Sequence, residues 1–354
     1  MVRLFILFLF HICFSIDSSA QNNSVLSNGD WFKVTTDQNA IYKLTYSDFQ
    51  NLGISIPVIQ TSSIKLYGNG GGMLSELNSD FRYSDLVENA IQIHDSNNNG
   101  LFENGDFILF YGMSPDVWKF NDNTNLFEHE THLFADEVCY FLTIDNESNG
   151  KRILEKGMFL EPQIIINTYN TFSHHELELE NLISSGRKWF GERFFHETKQ
   201  SFPFSFPDLI ESANISIKVT VAARSFQQSN FTIDVNSSFL TNLSVPAVSS
   251  DYAQEYAKEA TITTDYLANF SNLSLDIEYF SDDPAAEAWL NYIEINAKRK
   301  LKLSGNAFNF RHIENSGNQI GEYQIENGLN LQVWDITEPT NPNKLNTTIN
   351  SNIL

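Results

Sequence analysis

Apolar residues alternate with polar ones over long stretches of this chain, and this period of two constrains the fold more than any other feature. Between Ile215 and Val221 an apolar residue occupies every second position, with Ser, Lys and Thr in between. Such alternation is typical of a β-strand with one buried face and one face in water. Further stretches repeat it at Phe231–Val235, Leu273–Tyr279 and Ile293–Ala297. The chain is therefore predicted to be mainly β.

The segments between these strands are rich in Asn, Ser and Gly, which favours antiparallel β-sandwich or jelly-roll-like domains. Helical signals are few. One short helix is predicted over Ser47–Leu52, with Thr45 or Ser47 as its cap, and another over Asp251–Glu259. This is too little helix for an alternating α/β fold.

The length and composition set the number of cores. A chain of 354 residues with 42% hydrophobic residues can bury one large or two medium cores. Up to about Lys156 the strands are shorter and the turns richer in Gly, whereas longer strands begin after Pro162. We therefore predict an N-terminal β-rich domain over residues 21–160 and a β-sandwich domain over residues 161–345.

The first residues have the three parts of a secretory signal peptide. Arg3 gives a basic start, residues 4–14 an apolar run, and Ser18-Ser19-Ala20 a small-residue end. We predict a signal peptide over residues 1–20 and export of the mature chain. No later stretch approaches the roughly 20 apolar residues of a membrane-spanning helix.

Cys139 is then the only cysteine of the mature chain, so the fold is predicted to depend on its packed core and not on a disulfide. Its apolar neighbours predict an inert, buried thiol. The formal net charge of −22 at pH 7 excludes nucleic-acid binding as the main role, because phosphates are bound through clustered Lys and Arg.

The segment DSNNNGLFENGD at residues 95–106 has the spacing of a calcium loop. The predicted ligands are the side chains of Asp95, Asn97 and Asn99, the carbonyl of Leu101, a direct or water-bridged contact from Glu103, and the carboxylate of Asp106. Asp106 stands where a longer Glu is usual, which predicts a weaker site. Both flanks have the pattern of strands, so a β-hairpin loop rich in turn-forming residues is the alternative. Both interpretations stay open at this point, and calcium is the one cofactor that the sequence suggests.

Two other segments have residues that can carry chemistry. Gly68–Gly72 superficially resembles a phosphate-binding loop, but Met73 replaces the last glycine of a dinucleotide motif and no helix pattern follows, which favours a structural turn. Metal-capable side chains also lie close together at His174, His175, Glu176, Glu178 and Glu180. A solvated strand gives the same pattern, and it is the preferred interpretation.

Several segments, taken in order, carry a resemblance to a known family. They are Tyr67–Leu74, Asp85–Ile91, Asp106–Gly112, Ser185–Glu192, Trp289–Asn296 and Val333–Thr337. Together they resemble the N-terminal region of the PorU-like, gingipain-like sortases of the Bacteroidetes type IX secretion system, over nearly all of the mature chain. The resemblance implies a cell-surface cysteine peptidase at the outer membrane. Such an enzyme removes the C-terminal sorting domain of exported cargo and joins the new end to an anionic lipopolysaccharide, beside PorV-like components.

The sequence departs from that family at its end. Members continue beyond the segment matched by Val333–Thr337 into a catalytic domain with a His and Cys dyad, whereas this sequence ends at Leu354. No catalytic residue is therefore carried over. Residues 346–354 are predicted to begin the linker to that domain, and the chain alone is predicted to be inactive.

Arg187, Trp189, Glu192 and Arg193 form the most distinctive cluster of the matched region. The cluster is predicted either to contact the absent domain or a partner, or to pair its charges across a sheet, and the second is preferred. Two functional hypotheses follow for the whole chain. It is the non-catalytic front part of a sortase, or it is a stand-alone secreted β-sandwich that binds a surface polymer or a protein, stabilised by calcium.

Overall fold

The computed structural model describes residues 24–55, 57–157, 161–184, 186–211, 213–251, 253–313, 319–329, 331–350 and 353–354. The chain is mainly β, with several antiparallel sheets and very little helix, so the predicted fold class is confirmed. Over these ranges no helix is both long and apolar enough to cross a membrane. The predicted signal peptide lies outside the described residues.

The N-terminal part, taken here as residues 24–157, is built from short strands. They are β1 (Phe32–Thr36), β2 (Ala40–Thr45), β3 (Ile64–Tyr67), β4 (Glu88–Asn89), β5 (Gln92–His94), β6 (Phe107–Gly112), β7 (Val117–Asn121), β8 (Leu126–Glu130), β9 (Val138–Ile144) and β10 (Leu154–Lys156). One sheet has the order β1-β9-β3-β4 and another the order β2-β6-β5, while β7 and β8 form a separate hairpin. Leu66, Phe110, Tyr140 and Leu142 belong to the core cluster that the first two sheets share.

The predicted helix is confirmed as α1 (Tyr46–Asn51), and its cap is Thr45. The Thr45 hydroxyl accepts a hydrogen bond from the Asp48 N–H, and the Asp48 carboxylate accepts one from the Thr45 N–H at 2.7 Å. This reciprocal capping box satisfies donors that a helix N-terminus otherwise leaves unpaired. Short 3₁₀ turns lie at Val25–Ser27 and Thr61–Ser63.

Cys139 lies on the outer face of β9 and is only partly buried. Its neighbours Val138 and Tyr140 point to the opposite face, where they join the core. The prediction of a buried thiol is therefore wrong. Apolar neighbours on both sides of a residue do not bury it when successive side chains of a strand point to opposite faces.

Glycines after β3 are required by close packing. A Cβ on Gly68 would lie 2.6 Å from the Tyr140 ring, and one on Gly71 would lie 1.8 Å from the Ser114 carbonyl oxygen. Gly70 has a φ of +84°, in the region that favours glycine. The interpretation of Gly68–Gly72 as a structural turn is therefore confirmed.

The remaining strands are longer and form the sandwich. They are β11 (Ile164–Ile166), β12 (Thr168–Glu176), β13 (Arg193–Phe194), β14 (Lys199–Ser205), β15 (Asn214–Arg224), β16 (Ser229–Val235), β17 (Ser238–Val245), β18 (Lys258–Leu267), β19 (Asn272–Phe280), β20 (Glu287–Lys300), β21 (Gly321–Tyr323), β22 (Val333–Asp335) and β23 (Asn343–Leu345). A five-stranded sheet has the order β12-β20-β15-β18, with β13 also on β20, and a four-stranded sheet has the order β14-β19-β16-β17.

The two sheets enclose the larger core. Val219, Phe231, Ile277 and Ile295 are all at most 1% exposed. Each belongs to one of the alternating stretches from which the strands were predicted. Burying an aliphatic or aromatic side chain of this size contributes about 1.5–3 kcal/mol. These inward faces hold the sandwich together.

The second predicted helix, Asp251–Glu259, is wrong. The described residues of that segment form turns, and β18 begins at Lys258 and pairs along its length with β15. Ala260 and Ile262 pack against the core, so pairing with a long neighbouring strand outweighs the helix-forming residues before it.

The end of the chain returns to the N-terminal part. β23 pairs in parallel with β10 and antiparallel with β22, while β11 pairs in parallel with β21. The Ala90 N–H donates to the Thr340 carbonyl oxygen at 3.0 Å. The Leu354 N–H donates to the Ile325 carbonyl oxygen at 3.0 Å.

The proposed domain boundary near residue 160 and the linker at residues 346–354 stay predictions.

Candidate functional site

The base of the predicted calcium loop is held by Asp106, which is 1% exposed. One of its carboxylate oxygens accepts from the Ser96 N–H at 2.8 Å and the other from the Glu103 N–H at 2.9 Å. Burial raises the pKa of Asp106, but these hydrogen bonds lower it by more, so the net shift is downward. Asp106 therefore closes the loop as a carboxylate.

The tip of the loop is held by the other predicted side chains. The Asp95 carboxylate accepts from the Gly100 N–H at 2.8 Å, at a position where Gly100 has a φ of +80°. The amide nitrogens of Asn97 and Asn99 both donate to Glu103 Oε1, at 2.7 and 3.2 Å. The structure thus brings these side chains together around Glu103.

Leu101 is placed differently from the other predicted ligands. It forms an isolated antiparallel bridge with Gln60, and its N–H donates to Asn99 Oδ1 at 2.7 Å. The oxygen donors of the loop are of the kind that calcium prefers. The side-chain oxygens already accept hydrogen bonds within the loop, so the turn closes without a cation. Across the described part of the chain, no group of three or more His, Cys, Asp or Glu side chains is placed to hold a metal.

A second polar site lies where the β7–β8 hairpin covers the outer face of the five-stranded sheet. The Trp118 ring stacks on Phe172 of β12 with centroids 4.0 Å apart, and Phe127 lies against Phe172 at 5.1 Å. The Arg311 guanidinium carbon lies 4.5 Å from the centroid of the Phe172 ring. This aromatic layer fixes the hairpin on the sheet.

Side chains of β20 bind the backbone of β8. Asn296 Oδ1 accepts from the Phe127 N–H at 2.8 Å, and Asn296 Nδ2 donates to the Phe127 carbonyl oxygen at 2.9 Å. Two residues away on both strands, Glu294 Oε1 accepts from the His129 N–H at 2.8 Å. The amide of Asn296 therefore pairs with β8 in the way that a neighbouring strand would.

Two histidines stack beside these hydrogen bonds. The rings of His129 and His174 have centroids 3.5 Å apart, and His129 Nδ1 lies 3.6 Å from a carboxylate oxygen of Glu176. The Thr131 hydroxyl donates to the same carboxylate. Burial, followed by the nearby His129, lowers the pKa of His174 to about 4. The rings border a cavity of about 220 Å³, whose lining residues are Glu128, His129, Thr131, His174, Glu176, Lys218, Tyr292 and Glu294.

The metal-capable segment that begins at His174 is therefore neither a metal cluster nor a fully solvated strand. His175 Nε2 lies 2.7 Å from Glu192 Oε1, and Glu180 accepts from the Trp289 indole N–H at 2.6 Å. Burial, followed by the neighbouring Glu176, raises the pKa of Glu178. The expectation of a solvated face holds for His174 and Glu178, which stay exposed, whereas His175, Glu176 and Glu180 are partly buried. No local pattern in the sequence marks the hairpin contact.

The cluster around Trp189 pairs its charges. Arg193 and Glu287 lie 2.7 Å apart across the β13–β20 pair, Glu192 faces His175, and Arg187 pairs with Glu76. The preferred interpretation of charges paired across a sheet is therefore confirmed for Arg193, whereas Arg187 pairs with a distant loop and Trp189 is 38% exposed.

The site beneath the hairpin was not predicted. Two short segments with aromatic and apolar residues, Val117–Phe120 and Leu126–Glu130, flank the Asn-rich turn 121–125 and could have identified the hairpin itself. No signal in the sequence indicated which surface it covers.

The described strands define a class of protein: an antiparallel two-sheet sandwich joined to a smaller β-rich part that covers one of its outer faces. The fold is similar to that of dimeric latent PorU from Porphyromonas gingivalis, with a TM-score of 0.76 and 20% sequence identity. The similarity covers 93% of this chain and 30% of the PorU chain. The resemblance to the PorU N-terminal region is thus confirmed for the fold, and the chain spans less than a third of PorU.

Two carbohydrate-binding modules match only weakly. A carbohydrate-binding module CBM36, in complex with calcium and xylotriose, has a TM-score of 0.24 at 10% identity, covering 37% of this chain and 99% of its own. The CBM36-1 domain of a xylanase from the hindgut metagenome of Trinervitermes trinervoides has a TM-score of 0.25 at 12% identity, covering 39% and 99%. No family model and no curated protein sequence matches the chain.

Proposed function

We propose that the chain is the non-catalytic N-terminal part of a PorU-like sortase of the type IX secretion system. The observation that carries the proposal is the similarity to PorU over 93% of the chain. In this proposal a gingipain-type domain outside the chain cleaves the sorting domain of cargo and transfers the new end. The chain supplies a rigid β framework beside that domain.

The contacts between the sandwich and the N-terminal part support a framework role. Asn296 and Glu294 bind the backbone of β8, and β23 pairs with β10. Domains move relative to one another by default unless their interface restrains them. These hydrogen bonds and the strand pairing are such restraints. Export through the predicted signal would place the chain at the outer membrane and cell surface, where PorV-like components and sorting-domain cargo would be its partners.

The proposal is tested by an in-frame deletion of residues 24–354 in the organism that encodes them. We expect exported cargo to keep its sorting domain and to fail to attach to the cell surface, with the complete gene restoring both. Normal cargo processing in the deletion strain would instead support the stand-alone binding module. Reading the DNA beyond codon 354 is an independent check, since the proposal requires a peptidase-like region there.

We also propose that the 95–106 loop holds a structural calcium ion at millimolar extracellular concentrations. Asp95, Asn97, Asn99, Glu103 and Asp106 would supply the oxygens, with the carbonyl of Leu101. The support is the convergence of both Asn side chains on Glu103. A calcium ion would take the place of those neutral amide N–H donors as the partner of Glu103, and it would reinforce a loop that already closes by itself.

A further inference from the structure

The hairpin contact has a composition that ordinary packing does not require. The stacked histidines are His129 from β8 and His174 from β12; Glu176 lies beside the His129 ring, and Glu294 is the neighbour of His174 on β20 and accepts from the His129 N–H. We call His129, His174, Glu176, Glu294 and Asn296 the clasp. We propose that the clasp is acid-sensitive, holding the β7–β8 hairpin on the five-stranded sheet at neutral pH and releasing it when the stacked histidines take up protons.

The geometry of the rings is the first reason. Their centroids are 3.5 Å apart with an interplanar angle of 20°, so the two imidazoles lie face to face. Two positive charges at that distance repel strongly. The His129 side chain is 5% exposed, so little solvent reaches its side of the stack to screen the repulsion, while His174 keeps an exposed edge. The stack therefore tolerates at most one charged ring, and a second proton favours separation of the hairpin from the sheet.

The charged groups around the stack do not cancel this effect. Glu128 and Asp116 face it from the hairpin side, and Glu176, Tyr292 and Glu294 face it from the sheet. Glu294 is already paired with Lys218 at 3.1 Å. Glu176 and Asp116 raise the pKa of His174, but burial and His129 lower it by more.

The pH range in which docking weakens follows from the number of protons that the docked and the undocked states bind. The ordinary pKa of a histidine is 6.5, whereas desolvation, followed by the stacked His129, lowers the pKa of His174 in the docked state to about 4. The undocked state therefore binds more protons between these values, so docking is most stable above pH 6.5 and weakens as the pH falls towards 4. Burial raises the pKa of Glu176, but bonds to His129 and Thr131 lower it by more. This second group acts in the same direction at lower pH.

Hydrogen exchange of the purified chain tests the proposal. At about pH 5 the amides of β7 and β8 are expected to lose protection about tenfold or more relative to about pH 7.5, after correction for intrinsic exchange. Amides of the β1–β9 pair serve as the internal reference and are expected to stay protected. Equal protection of the hairpin at both pH values would overturn the proposal.

Matched variants separate the clasp from general acid effects. His174→Phe keeps an aromatic ring against His129 but cannot take up a proton, so it is expected to abolish the pH dependence of hairpin protection. His94→Phe is the control, because His94 stacks on Phe107 away from the hairpin contact, and it is expected to leave the dependence intact. The same acid-induced loss in His174→Phe would contradict the clasp.

A measurement on the unmodified chain covers the case in which His174→Phe does not fold. NMR titration of the histidine ring protons is expected to show His174 titrating well below the ordinary range while the hairpin remains docked. A His174 pKa in the ordinary range while the hairpin is docked would overturn the proposal.

Discussion

A single buried hydroxyl links two sheets of the N-terminal part. Tyr140 is 1% exposed, its ring lies 5.4 Å from that of Phe110, and its hydroxyl accepts from the Met113 N–H at 3.1 Å. Burial raises the pKa of Tyr140 to about 12. The hydroxyl therefore stays protonated in the folded chain at pH values where exposed tyrosines lose their protons.

Replacing Tyr140 by Phe is expected to destabilise the chain by about 1–3 kcal/mol, because the partly buried Met113 N–H loses its partner. The stabilising contribution of the protonated hydroxyl is full below pH 10.0 and is lost as the pH rises towards about 12. The free energy of unfolding of the variant is therefore expected to fall less steeply than that of the unmodified chain as the pH rises. Urea unfolding between these pH values measures both effects. Tyr83→Phe, at a side chain that is 45% exposed, is the control and should change neither.

Calcium binding at the 95–106 loop is also decided by individual residues. A calcium concentration about tenfold above the dissociation constant would stabilise the chain by roughly 1.4 kcal/mol. The double substitution Asp95→Asn with Glu103→Gln preserves size but removes two charges, and it is expected to abolish this gain. Melting curves in calcium and in chelator measure it, with Asp122→Asn combined with Glu147→Gln as the charge-matched control. Identical curves for the unmodified chain in both solutions would favour the plain turn.

At the scale of elements, the outer face of the five-stranded sheet is covered from two directions. The hairpin covers one region, and a strap formed by residues 177–184 and 186–192 covers another. Beneath the strap, Trp289 is 1% exposed and packs with Phe190 and Ala222. The indole N–H of Trp289 donates to Glu180 at 2.6 Å, which fastens the strap to the sheet.

Glu180→Ala is expected to loosen the strap, because it leaves the buried indole N–H without its acceptor at a cost of about 1–3 kcal/mol. Limited trypsin digestion should then cut faster after Arg187 or Lys188. Glu178→Ala makes the same charge change two residues earlier and serves as the control. Unchanged cleavage in Glu180→Ala would show that packing alone holds the strap.

At the scale of the whole molecule, the chain alone is expected neither to cleave nor to transfer a sorting-domain substrate. Cysteine proteolysis needs a thiolate, a base and donors for the oxyanion, and Cys139 is a partly buried strand residue opposite Thr35. The assay incubates the chain with such a substrate under reducing conditions, beside Cys139→Ala. Cleavage that disappears in Cys139→Ala would mean that the catalytic centre lies in this chain after all.

The sequence predicts well those features that depend on neighbouring residues. The alternation at Ile215–Val221 identifies a core strand. Thr45, one of the two predicted caps, does cap the predicted short helix. The failures arise from distant contacts. The 251–259 segment has helix-forming residues but ends in a strand beside β15, and the stacking of His129 on His174 joins parts of the chain that no local pattern connects.

The parallel pairing of β10 with β23 has a mechanical consequence. It closes a loop that contains the whole sandwich, and the Glu155–Lys344 ion pair of 2.9 Å lies within it. A tension applied between the N-terminal part and Leu345, at the end of β23, is carried first by this pairing. Parallel strands pulled at opposite ends load their hydrogen bonds together, in shear. While the two short strands hold, such a pull bypasses the strands between them, so it separates β10 from β23 before it unravels the largest core.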